Sequence, residues 1–165
     1  MTKSSFKRKI YTSKEILELV HTDLCGPIEV QSYKGDIYIM LFVDEYSRMM
    51  TIMFLKQKFD AFQMFKWYLA RVEKEIGKSL KCLWLEKGGE FTSREFEVFW
   101  NEKGIKRQTS TPRTPPQNGI AERRNRSVIG CVRTLMMEKN VALKYSREVV
   151  STAVYTLNRV QNKKR

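Results

Sequence analysis

"IYIMLFVDEYSR", Ile37 to Arg48, decides the fold class. Ile37, Ile39, Leu41 and Val43 alternate with Tyr38, Met40 and Phe42, so both faces of the stretch are apolar. Such a run fits a strand covered on both sides rather than one with a wet face. A sheet covered on both faces needs helices above and below it. The neighbouring sequence supplies them.

Upstream, "LELVHTDLCGP" reads as a strand stopped by Gly26 and Pro27. Downstream, "MMTIMFLK" is close enough to form a hairpin with the central run. The period then changes to three or four. Phe62, Phe65, Leu69, Val72 and Ile76 mark an amphipathic helix ending at Gly77. "LKCLWL" is a fourth strand. "TSREFEVFWNEKG" is a helix with an expected capping box, Thr92 reaching towards Glu95, and Gly104 as its stop. "IKRQTSTP" is a fifth strand, and "RTPPQNG" is a loop. A long helix is expected from about Ile120 to Lys139, burying Val128, Val132, Leu135 and Met136. A last helix, from about Tyr145 to Gln161, would bury Val149, Ala153, Leu157 and Val160. The order β-β-β-α-β-α-β-α-α implies an α/β fold, a mixed five-stranded sheet flanked by helices.

The 165 residues suffice for one domain with a real core. Residues 1–16 are polar and basic and read as a lead-in or linker; 17–165 read as the folded core. The net charge of +13, from 31 basic and 18 acidic residues, predicts affinity for a polyanion, nucleic acid first; a merely soluble basic protein is the alternative. No apolar run approaches the roughly 18–20 residues of a membrane span, and no signal-peptide pattern opens the chain. An intracellular protein without a membrane partner is expected. Cys25, Cys82 and Cys131 are too scattered for a disulfide framework or a zinc site. With His21 the only histidine, a zinc module and a Ser-His-Asp triad are both poorly supported. A packed histidine is expected there. Trp67, Trp84 and Trp100 read as core, and Cys131 as a buried apolar filler. Any metal must be a hard cation held by carboxylates.

Three acids can meet. Asp23 lies within or at the end of the first strand, Glu86 closes the fourth, and Glu122 opens the long helix. If strands one and four are neighbours, Asp23 and Glu86 sit side by side and the helix brings Glu122 across them. Three converging carboxylates repel unless a cation or a proton neutralises them. Two Mg²⁺ ions, roughly 4 Å apart, would suit phosphodiester chemistry. Spacing alone leaves this open, because most of the 18 acids read as solvated. Glu90, Glu95, Glu97, Glu102 and the pair Asp44–Glu45 read as turn, cap or helix-surface groups.

The words around the acids narrow the choice. "HTDLCGPI", "FVDEYSR", "GGEFTSREF", "GIKRQTSTPRTPPQNGIAERRNR" and "TAVYTLNR" resemble the integrase catalytic core of copia-type retrotransposon Pol polyproteins, particularly plant ones, in the retroviral integrase superfamily. The resemblance covers nearly the whole chain from about Leu17. It implies an RNase H-like fold and a metal-dependent polynucleotidyl transferase that processes 3′ ends and joins them to target DNA. It implies an Asp-Asp-Glu triad whose positions fall on Asp23, Glu86 and Glu122, as catalytic residues and ligands of two Mg²⁺ (or Mn²⁺) ions. The 35 residues between Glu86 and Glu122, positions 87 to 121, match the spacing of the family. The wording does not: Trp84-Leu85-Glu86-Lys87 stands where the family usually has Arg-Ser-Asp-Asn or Arg-Ser-Asp-Lys. Glu86 is thus an acid one methylene too long at a ligand position. A displaced carboxylate of about 1 Å is of the size that costs on the order of 10²-fold in rate.

The resemblance also gives Gln117, Asn118 and Gly119 a mobile loop that touches DNA, with a simple linker as the alternative. Arg123, Arg124 and Arg126 would reach phosphates, with a solvated basic face as the alternative; Lys87 would meet a phosphate or pair with Glu86. DNA, both element ends and target, a homo-oligomer and a nuclear location are the implied partners and place. No zinc is expected, since the His-His-Cys-Cys module of such polyproteins finds no match in these residues. The core alone is expected to be weak in the full reaction. The competing reading is a catalytically inactive, transposon-derived nucleic-acid-binding module.

Overall fold

The computed structural model describes residues 13–28, 32–85, 91–109 and 119–160, with the side chains of Ala121 and Glu122 outside that description. Residues 1–12, most of the expected lead-in, also lie outside it.

The elements follow the expected order: β1 (Val20–Cys25), β2 (Tyr38–Asp44), β3 (Met50–Leu55), α1 (Ala61–Ile76), β4 (Cys82–Leu85), α2 (Arg94–Lys103), β5 (Lys106–Thr109), α3 (Gly119–Lys139) and α4 (Ser146–Val160). They form one five-stranded sheet in the order β3-β2-β1-β4-β5. β1 lies at its centre, antiparallel to β2 and parallel to β4. β3 pairs antiparallel with β2, and β5 parallel with β4, so the sheet is mixed.

The two-sided apolar pattern of β2 has a direct structural reading. Met40 and Phe42 face α1 and α2, joining Val20, Phe65, Leu69, Phe96 and Trp100 in the larger core cluster. Leu41 and Val43 face the other way, onto Val128 of α3 and Val150 and Val154 of α4. Phe42 stacks on Tyr68, ring centroids 3.9 Å apart and nearly coplanar. Fully burying one such side chain stabilises the fold by about 1.5–3 kcal/mol. Burial pushes the Tyr68 phenol up, with the nearby Asp44 charge adding to it.

Helix ends follow local chemistry. Gly77 and Gly104 close α1 and α2 in the left-handed region, φ 71° and 65°, as expected. The start of α2 differs from the reading of Thr92 as its cap. Ser93 is the cap, its Oγ accepting from the Phe96 N–H at 3.4 Å. The third helical residue is then Phe96, which has no acceptor to complete a box.

Other expectations shift for physical reasons. Trp84 and Trp100 are buried, but Trp67 is 57% exposed, because Phe65, Tyr68 and Leu69 already define the buried face of α1. Val160 is 67% exposed at the end of α4. Leu135, Met136 and Cys131 are only half-buried, since α3 rests on the sheet mainly through Val128. Asp44 and Glu45, read as ordinary turn acids, are buried. The Asp44 carboxylate accepts from the Leu17 N–H (2.8 Å), the Ser47 N–H (2.7 Å) and the Ser47 hydroxyl (2.7 Å). Glu45 accepts from the hydroxyl of Ser13, itself buried, at 2.8 Å.

Candidate active site

Asp23 sits on the central strand, opposite Leu41 of β2. Its neighbour Thr22 pairs with Leu85, the last residue of β4. The strands expected to lie side by side therefore do. Side chains two apart share a strand face, so His21, Asp23 and Cys25 all point to the side that carries α3 and α4. His21 is packed, as expected. It is 2% exposed, lies 6.2 Å from the Trp84 ring between centroids, and has Nε2 4.0 Å from Glu45 Oε2.

From above, α3 lays Asn125 on this strand end. Asn125 Nδ2 donates to Asp23 Oδ2 at 2.6 Å and also contacts Cys25 Sγ. The Cys25 thiol lies 3.7 Å from the same carboxylate oxygen. Asn125 was missed in the sequence reading. The available signal was its place in "ERRNR", three residues after Glu122 and hence on the same helix face.

An open cleft of ≈ 480 Å³ runs from Asp23 along α3, lined by Asn125, Arg126, Ile129, Gly130 and Arg133. Arg126 and Arg133 are exposed and seven residues apart, two turns along one face. One carboxylate at the end of a cleft bearing two guanidiniums suits an anionic ligand that also brings or needs a cation. Arg133 lies beyond the stretch that groups the other arginines beside Glu122, so its place on the cleft is visible only in the fold.

The other expected residues fall as follows. Glu86, Lys87, Gln117 and Asn118 lie outside the described residues. Gly119, placed in the loop by the sequence reading, is the first residue of α3. Glu122 is the fourth residue of that helix, its side chain outside the description. Arg123 is exposed, its carbonyl accepting from the Ser127 hydroxyl at 3.0 Å. Arg124 is half-buried on a different side of the helix from the cleft, and burial first, then the charge of Arg48, lowers its pKa.

Among the described residues no three Asp, Glu, His or Cys side chains gather to hold a cation. What is described fits a hard one: the Asp23 carboxylate and the Asn125 carboxamide are oxygen-bearing groups at the mouth of an open cleft. Among the same residues no helix is long and apolar enough to cross a membrane.

No protein-family model matches the chain. Individual relatives do. The retrovirus-related Pol polyprotein from transposon TNT 1-94 of Nicotiana tabacum is 40% identical over 155 residues, 94% of this chain and 12% of that protein. The chain matches a segment of the retrovirus-related Pol polyproteins of plant copia-type transposons. The polyprotein from transposon RE2 of Arabidopsis thaliana is 31% identical over 160 residues, 96% of this chain and 11% of that protein. The chain thus spans roughly an eighth or less of the length of the relatives it matches.

Solved structures agree on the fold. The HTLV-2 integrase catalytic core domain in complex with magnesium aligns with TM-score 0.62 at 19% identity, covering 87% of this chain and 86% of that one. A chain of the simian T-cell lymphotropic virus intasome, in complex with PP2A regulatory subunit B56 gamma, aligns with TM-score 0.71 at 16% identity. It covers 92% of this chain and 51% of that one. The mixed sheet with flanking helices is therefore the RNase H-like architecture of integrase cores.

Proposed function

We propose that the chain is the catalytic segment of a DNA-integrating polynucleotidyl transferase, with Asp23, Glu86 and Glu122 as its acidic triad. The observation that carries this is the bond from Asn125 to Asp23. It ties the first turns of α3, where Glu122 sits, to the strand end that carries Asp23. Covalent connectivity supports the third member: Glu86 is bonded to Leu85, whose partner Thr22 precedes Asp23.

These three carboxylates would hold divalent cations, Mg²⁺ or Mn²⁺ and two in number on this reading. The magnesium in the HTLV-2 relative supports the choice of cation. Bound there, the metal would supply Lewis-acid activation of a hydroxyl nucleophile and charge stabilisation of a leaving oxygen. The protein's own residues do the rest. Asn125 fixes one Asp23 oxygen and leaves the other free for a cation. Arg126 and Arg133 draw the phosphodiester strand along the cleft, with Arg123 and Lys87 as further phosphate contacts and Gln117 and Asn118 at the DNA end. In the reaction an oxygen–phosphorus bond forms from water or a 3′ hydroxyl, and the opposite phosphorus–oxygen bond breaks in line. Target DNA, element ends and a multimeric assembly follow from the same reading, and a nuclear site of action with them.

A second reading, binding without cutting, is favoured by one feature: Glu86 at the second acid position. The longer side chain would slow Mg²⁺-supported cleavage by on the order of 10²-fold if the backbone does not compensate. A disintegration assay on branched DNA separates the two. The natural chain is expected to rejoin strands weakly with Mg²⁺ and better with Mn²⁺, and Glu122→Gln to be inactive with both. Salt-sensitive DNA binding without cleavage under either metal, in the natural chain and in Glu86→Asp alike, supports the binding module.

A further inference from the structure

A second cationic site lies off the Asp23 cleft, at the turn between β2 and β3. Arg48 is held there in the left-handed region, φ 62°, its N–H donating to the Asp44 carbonyl at 2.9 Å. Arg124 approaches from α3. Ile120 and Val128, one turn on either side of it, pack against Leu41, Val43 and Met50 of the same hairpin. That packing aims the Arg124 face of the helix at the hairpin. Both arginines are half-buried.

The acids beside them are already engaged. Asp44 serves Leu17 and Ser47 through three hydrogen bonds. Glu45 holds Ser13 and faces His21. Neither Arg48 nor Arg124 forms an ion pair among the described residues. Burial first, and then the charge of Arg48, lower the pKa of Arg124, so the two like charges sit within each other's reach. Bringing two guanidiniums together in a half-buried place is unfavourable unless an anion joins them. The planar fork of arginine matches phosphate oxygens two at a time.

We propose that Arg48 and Arg124 form a phosphate clamp that takes a backbone phosphodiester of a polynucleotide. Position favours this occupant over free phosphate. Val20 pairs with Asp44, three residues along β1 from Asp23, so the clamp lies on the order of 10 Å from the cleft. A strand bound at Asp23 has further phosphates within that reach. The net charge of +13 suits the same ligand. The inference rests on the nucleic-acid part of the proposed function and not on cleavage.

The test is therefore run in EDTA, without divalent metal. The Nε–H signals of Arg48 and Arg124 are followed by NMR during titration with a short DNA duplex and, separately, with inorganic phosphate at matched ionic strength. Duplex affinity is measured across salt concentrations for the natural chain, Arg48→Asn, Arg124→Gln and Arg124→Lys. Asparagine is chosen at 48 because it tolerates the left-handed region. Both signals should move with duplex. Each neutral variant should reduce the log–log salt slope by about one, and Arg124→Lys should keep it. Thermal midpoints of the neutral variants should hold or rise, because a repulsion is removed; a structural role predicts a fall. Natural slopes in both neutral variants overturn the proposal. So does a response to inorganic phosphate alone, which assigns the site to a small anion. Absence of duplex binding by the natural chain overturns the proposal together with the nucleic-acid reading, whereas a cleavage failure alone leaves it intact.

Discussion

Replacing Asn158 by alanine should loosen α4 from the sheet. β3 is an edge strand, and the Met50 N–H and C=O point out of the ladder. The Asn158 side chain meets both: Met50 N donates to Oδ1 at 2.9 Å and Nδ2 donates to the Met50 carbonyl at 2.8 Å. One carboxamide thus stands in for a missing strand across 108 residues of sequence. Met50 is 3% exposed, so water replaces these partners poorly. Each hydrogen bond contributes a net of about 0.5–1.5 kcal/mol, and each buried group left alone costs about 1–3 kcal/mol. Asn158 is itself half-buried, which admits some water after truncation. Asn158→Ala should then cost about 2–4 kcal/mol in urea denaturation followed by tryptophan fluorescence, with the slope unchanged. Asn158→Asp should be at least as harmful, because it sets a carboxylate against the Met50 carbonyl. A loss below about 0.5 kcal/mol, the range of ordinary surface changes, would show that the Asn158 carboxamide does not hold α4 to β3.

Three further outcomes follow from the packing and charge. Hydrogen bonds from Lys78 first, then Lys81, together with their charges, hold the Glu15 carboxyl at about 2 against an ordinary 4.5. A depressed folded pKa stabilises above the unfolded value, so this contribution should be complete above pH 4.5 and lost as pH falls towards 2; Glu15→Gln should flatten the urea midpoint across that window, less so at high salt. Trp67→Ala should change stability by less than about 0.5 kcal/mol, while Trp100→Ala should cost about 3–5 kcal/mol by calorimetry or urea. Gly26 has φ 134°, and a Cβ there would lie 2.6 Å from the Ile37 carbonyl oxygen; Gly26→Ala should cost about 2–4 kcal/mol by the same assays.

What the sequence made legible was local pattern. The alternation from Ile37 to Val43 and the spacing of Phe65 and Leu69 report which faces are buried, so the sheet and α1 followed. Asp23 was legible because its strand and its wording agree. Three kinds of feature were not. Ser93 rather than Thr92 caps α2, a one-residue choice that depends on where the preceding chain bends. The burial of Asp44 and Glu45 depends on Leu17 and Ser13, far away in the chain. The partners of Asn125 and Asn158 lie about a hundred residues off, at separations of 102 and 108, where no periodicity reaches. "TLNR" could be matched as a word, but its job is visible only once α4 lies on β3.

Mn²⁺ binding tests directly, with no need for turnover, whether Asp23 is part of a divalent cation site. Free Mn²⁺ would be followed by electron paramagnetic resonance as the natural chain, Asp23→Asn, Glu86→Asp and Glu122→Gln are added. The natural chain should remove free Mn²⁺, Asp23→Asn and Glu122→Gln should each weaken binding at least tenfold, and Glu86→Asp should strengthen it. Equal Mn²⁺ binding by the natural chain, Asp23→Asn and Glu122→Gln would contradict a cation site at Asp23.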